Sequence, residues 1–165
     1  MSTKNKDLNI KEKLKQALES TVRVISEDFD IRKDHKNKRN SKKLEFFEVE
    51  NLNTKRDFIK ARANSDSTAL KKKFSNQDIY KRNLPTNSSC KNLYSIAEKI
   101  RCESLGGKML KGIEKNFHEN YDLVINSKRK DQLQTKEDVS ISEAFELYML
   151  KKFHNIKLNS LTSKM

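Results

Sequence analysis

The sequence predicts a mostly α protein: a single helical domain of about five to six helices, with one short β-hairpin near the amino terminus. Three observations lead there. Only 3 Gly and 1 Pro interrupt 165 residues, which favours helices over a turn-rich β architecture. Apolar residues make up 34% of the chain against 36% charged, yet they recur at helical spacing. The length suits one domain, which at this size buries roughly two-thirds of its unfolded surface. With no internal repeat and no low-complexity linker, the expected organisation is a disordered tail over 1–8, a helical domain over 9–156 and a flexible tail over 157–165.

The elements follow in order. Asn9 and Glu12 have the spacing of a capping box, and Leu14, Leu18, Val22 and Ile25 make one apolar stripe behind it. Phe29 and Ile31, then LEFFEV at 44–49, predict two short strands joined by the loop 32–43. A helix from about Asn53 to Phe74 carries Ile59, Ala63, Leu70 and Phe74 on one face, with Asp66 among them. A short helix around Asn76–Arg82 stops near Pro85, because the residue before proline resists helical geometry. The next helix presents Leu93, Ala97 and Ile100 and is expected to end at Gly106-Gly107. A helix over 109–117, a polar loop over 120–138 and a helix opened by Ser140 and Glu143 complete the chain. That last helix is expected to face the core with Ile141, Phe145, Tyr148 and Phe153.

Net charge is +13, which raises the question of an anionic partner. The basic residues are interleaved with acids along the chain, as on a solvated surface; the 32–43 loop is the most basic run and reads either as a solvated excursion or as an anion-binding footprint. No apolar run approaches the ~20 residues of a membrane span, and MSTKNKDLNIKEK lacks the apolar core of a secretory signal. Cys90 and Cys102 share one helical stretch; ~18 Å of helix between them is too far for a disulfide. A reduced, cytoplasmic setting is expected.

Recognisable catalytic signatures are missing. The sequence has no GxxxxGK(S/T), GxGxxG or HExxH pattern. His35, His118 and His154 have no partners at ligand spacing and read as surface or boundary residues, and the cysteines form no CxxC. Ser65-Asp66-Ser67-Thr68 superficially suggests a cation loop of the von Willebrand A type, but its spacing is wrong and it falls within a helix. Asp66 is notable for another reason. A carboxylate on an apolar stripe costs several kcal/mol unless it is paired or hydrogen-bonded. It either pairs with Arg101 across two helices, with Arg62 the weaker local alternative, or faces water on a slightly rotated stripe.

Several segments resemble the amino-terminal region of the cobaltochelatase T subunit family. ALESTVRVISEDFDI is similar to the family's opening helix and first strand. ARANSDSTALKKKF resembles its Arg-x-x-Ala-Asp-x-x-Ala-Leu helix, with Arg62, Asp66, Ala69 and Leu70 in place and Ser65 before the Asp; the spacing to Pro85 is also shared. AEKIRCESLGGKMLKGIEKNF is similar to the family's Glu-x-x-Arg-x-Glu-x-x-Gly run, with Glu98, Arg101, Glu103 and Gly106, followed by Gly112 and Asn116. ISEAFELYMLKKFHNI resembles the helix that follows, so the likeness spans roughly residues 14–156. The family continues into an acidic linker and a von Willebrand A domain with a metal-ion-dependent adhesion site, and the resemblance stops before both. Ser75 and Tyr80 stand where the family has histidines.

The resemblance implies an assembly role. In the family, the T subunit joins an AAA+ ATPase S subunit, and the two drive an N subunit that inserts cobalt into the corrin ring. ATP, magnesium and cobalt would then belong to the complex, and this chain, itself not catalytic, would hold no cofactor and supply protein–protein surface. Two other readings stay open: a basic helical nucleic-acid-binding protein, using Lys71-Lys72-Lys73 and the 32–43 loop, and an inactive split-gene remnant. Against the former, aromatics suited to stacking bases, such as Phe74, Tyr94 and Phe145, are expected in the core.

Overall fold

The computed structural model describes residues 3–28, 53–127, 139–158 and 163. These form a single helical domain with six helices: α1 (Thr3–Ser26), α2 (Lys55–Phe74), α3 (Gln77–Arg82), α4 (Ser88–Met109), α5 (Lys111–Asn126) and α6 (Ile141–Phe153). No strand occurs among the described residues; the hairpin expected over 29–49 lies outside them and gains no support. Helix α2 is central, packing against α1, α4 and α5, while α4 in turn holds α5 and α6.

Side-chain caps set most of the helix starts. Thr54 and Asp57 form a capping box: the Asp57 N–H donates to Thr54 Oγ1 at 3.3 Å, and Asp57 Oδ2 accepts from the Thr54 N–H at 2.8 Å. The Thr54 hydroxyl, donating to Asp57 Oδ2 at 2.8 Å, and then the Thr54 and Asn53 N–H groups hold the Asp57 carboxyl below its ordinary pKa. Asn76, Asn87 and Ser140 cap α3, α4 and α6 through their side-chain oxygens. α1 differs from expectation, beginning at Thr3 and running through Asn9. Nothing in TKNKDLN stops a helix, since Asn costs only some tenths of a kcal/mol in the interior.

The apolar stripes of α1 and α2 face inward as expected. Leu18, Val22, Ala63 and Leu70 are buried, and Leu14, Ile25 and Phe74 pack partly buried against them. Three other expectations fail. α4 does not end at Gly106-Gly107 but continues through both to Met109. Gly106 is a contact residue: a Cβ there would collide with the Leu70 side chain, so its absence lets α4 settle onto α2. The polar stretch beginning at 120 is helical to Asn126, where Tyr121 and Ile125 extend the buried ladder of Ile113 and Phe117.

Helix α6 is rotated from the expected phase. Leu147 and Leu150 are its buried residues, Phe145 is half-buried, and Ile141, Tyr148 and Phe153 are exposed. Beyond its end, Asn155 adopts φ 53°, a left-handed conformation that Asn tolerates better than most residues. This turn brings His154 and Ile156 into the core, both buried.

Candidate functional site

Two carboxylates lie inside the bundle, Asp66 at 2% and Glu103 at 1% exposure. Asp66 projects from the inner face of α2, and its partner is Asn116 of α5, whose Nδ2 donates to Oδ2 at 2.6 Å. Neither expected reading of Asp66 holds: it does not face water, and Arg101 is committed elsewhere. Burial raises the Asp66 pKa, with the Asn116 bond and the charge of Arg62, one turn away, opposing the rise.

Glu103, on α4, accepts from the Tyr121 hydroxyl at 2.6 Å and also bonds Ser67. Desolvation raises its pKa above the ordinary value, and Lys99 opposes this. Burial and the neighbouring Glu103 push the Tyr121 hydroxyl far above its usual range. His154 Nε2 lies 3.8 Å from Glu103 Oε2 and has no hydrogen-bond partner. Its ring packs edge-on to Phe117 at 5.8 Å. Burial pushes the His154 pKa down to about 4. The surface or boundary position expected for His154 is therefore wrong, because the turn at Asn155 carries it inward.

Arg101 forms a two-pronged contact with Glu98, at 2.7 and 2.9 Å, and donates through Nη2 to the Phe74 carbonyl at 2.8 Å. It thus satisfies one of the carbonyls left free at the end of α2, and the pairing holds the Glu98 carboxyl below its ordinary pKa. Beside it lies the thiol of Cys102, fully buried and pushed up to about 11 by desolvation; Cys90 is exposed, and both are free. Ser75 caps the carboxy-terminal end of α2, and Tyr80 stacks on Tyr94 with ring centroids 5.0 Å apart. Among the described residues no group of three or more His, Cys, Asp or Glu could hold a metal ion, and no helix is long and apolar enough to cross a membrane.

The structure thus sorts the singled-out residues into three sets. Ala69, Leu70, Gly106 and Glu103 form the α2–α4 interior, with Ala69 fully buried. Glu98 and Arg101 tie α4 to the end of α2, while Pro85 sits half-buried between α3 and α4. Arg62, Asp66, Gly112 and Asn116 come together around an open cavity of about 300 Å³ between α1, α2 and α5. Sequence reasoning missed Tyr121 and His154. Tyr121 was detectable, standing four residues after Phe117 and four before Ile125; His154 offered no comparable signal.

The domain is therefore a helical scaffold whose two buried carboxylates, Asp66 and Glu103, are each bonded to α5. Residues 9–160 match the family described as Cobalamin biosynthesis protein CobT, and the chain belongs to that family. Membership ties it to cobalamin biosynthesis and to cobaltochelatase. Comparison with curated proteins and with solved structures gives no match.

Proposed function

We propose that the chain is a non-catalytic part of the aerobic, ATP-dependent cobaltochelatase and acts by assembly with the AAA+ S subunit. In this reading ATP is bound by the S subunit, the N subunit holds the corrin that receives cobalt, and magnesium belongs to the complex. The observation that carries it is the use of Asp66, Glu103, Glu98 and Arg101. These four family-pattern charges are each engaged with another side chain or a backbone carbonyl. Such an arrangement supports a rigid platform rather than a reaction centre.

Co-purification with the cognate S subunit tests the proposal. Retention should persist from ~50 to ~200 mM salt, a range over which phosphate-driven binding falls by orders of magnitude. Tight retention of RNA or DNA at physiological salt with no S-subunit binding would instead establish the nucleic-acid reading that the charge of +13 motivates.

A further inference from the structure

Helices α1 and α5 both pack on α2, and a furrow is left between them. It holds two open cavities, of about 300 and about 260 Å³, which share Arg62 and Asn116 and so follow one another along α2. The floor is one face of α2, from Lys55 through Phe58, Ile59 and Arg62 to Asp66. One wall is the stripe Leu14, Leu18, Thr21 and Ile25 of α1. Each run covers 11 residue steps, which at 1.5 Å per residue is roughly 16 Å, or three helical turns. The far wall is the start of α5, where Gly112 leaves open space: a Cβ there meets nothing within 4 Å.

We propose that this furrow is the docking groove for an acidic amphipathic helix of another cobaltochelatase subunit, an inference that rests on the assembly reading above. Length and surface argue for a helix. A helical ligand presents apolar side chains at i, i+3 or i+4 and i+7, and the furrow offers aliphatic walls over the same three turns.

Charge argues for acidic flanks. Lys55, Arg62 and Lys111 line the furrow against a single acid near its edge, Glu119. None of the three cations forms an ion pair among the described residues. Asp66 at the floor is bonded to Asn116, and even counting it with Glu119 the lining holds three cations against two acids. The furrow therefore has an excess of positive charge that a basic helix would meet unfavourably. A nucleic acid would satisfy the charge, but the walls are mainly aliphatic, with Phe58 the one aromatic ring among the lining residues.

The test uses the full chain with its cognate S and N subunits. A Cβ added at Gly112 meets nothing within 4 Å, and Gly112→Leu replaces Gly with a better helix former, so it should fill the furrow while keeping the fold. The expected result is an unchanged or higher Tm with at least tenfold weaker binding. Arg62→Glu should weaken binding similarly and reduce its salt dependence. A photoreactive benzophenone amino acid at position 112 should cross-link to a partner helix whose apolar face is flanked by Asp or Glu. If the wild-type complex forms but both variants bind like wild type, the furrow is not the groove, although the assembly reading stands. Cross-links to a basic segment, to this chain itself or to a second copy would likewise rule the groove out. If the wild-type chain forms no complex, the assembly reading falls and this proposal falls with it.

Discussion

The side-chain amide of Asn116 donates to Oδ2 of Asp66 at 2.6 Å, joining α5 to α2 through two buried groups 50 positions apart. Asn116→Ala should cost ~1–3 kcal/mol in a urea titration, because it leaves a buried carboxylate without its donor. The pKa of Asp66 is raised in the folded state, so between the ordinary and the folded value the native state binds more protons than the unfolded chain. This contribution is fully present below the ordinary value of 3.8 and is lost as pH rises through the folded value. Asp66→Asn should remove that slope, and an unchanged profile would show that Asp66 is solvated.

Gly106 and Gly107 should respond oppositely to alanine. At Gly106 the new methyl would run into Leu70, and overpacking of this kind costs ~1–3 kcal/mol. At Gly107 the nearest atom to a new Cβ is Glu114 Cβ at 3.5 Å, an ordinary contact. There the helix-propensity gain of up to ~1 kcal/mol should appear as stabilisation. Thermal melts of the two variants decide the matter.

Leu70→Ala should cost ~2–5 kcal/mol through lost burial and the cavity it leaves. Lys72→Ala removes only a 4.0 Å surface ion pair with Asp28 and should change stability by less than ~0.5 kcal/mol. In the Leu70→Ala background, Gly106→Ala should become nearly harmless, since the colliding side chain is gone. Strict additivity in that double-mutant cycle would refute the Leu70–Gly106 contact.

Glu103 and His154 should give opposing pH slopes. Glu103→Gln leaves His154, whose folded pKa is lowered from 6.5 to about 4. Stability should then be fully present above 6.5 and be lost as pH falls toward 4. His154→Phe leaves Glu103, raised from 4.5, so stability should be greatest below 4.5 and be lost as pH rises through the folded value. Each slope can reach ~1.4 kcal/mol per pH unit for one proton. In the wild type they oppose one another, with Lys99, Glu146 and His118 as the neighbouring charges. Denaturant midpoints from pH 4 to 7 for the three proteins test this.

The isolated chain should release no phosphate from ATP: hydrolysis needs a phosphate cradle, magnesium ligands and a positioned water, and the sequence has no GxxxxGK(S/T) pattern. Calorimetry should likewise find no stoichiometric divalent-metal site. A micromolar site abolished by Asp66→Asn would overturn this expectation.

The fold was legible in the sequence where local pattern and tertiary packing agree. The stripe from Ile59 to Phe74 gave the correct phase of its apolar residues in α2. It left Asp66 open between a pair with Arg101 and a position facing water, and neither holds. Its partner was not legible, since nothing local distinguishes Asn116 from a surface amide and the pairing spans 50 positions. Gly106 read as a stop because glycine ends helices as readily as it permits close packing; only the position of Leu70 separates the two. In α6 the aromatics drew the expected inner face toward Tyr148 and Phe153, whereas the aliphatic pair Leu147 and Leu150 fills the space against the rest of the core. Of the candidate site, Arg62, Asp66, Gly112 and Asn116 were each singled out, but their convergence on one furrow depends on how α1 and α5 straddle α2.

The contrast between the two cysteines gives the chain a built-in reporter. Cys90 is exposed, whereas the Cys102 thiol is sealed in the core and pushed up to about 11. At neutral pH only about one Cys102 in ten thousand carries the reactive thiolate, by the logarithmic definition of pKa. A maleimide pulse should therefore add one mass tag to the folded chain and two once the α2–α4 contact opens. The second tag would time that opening without any engineered probe.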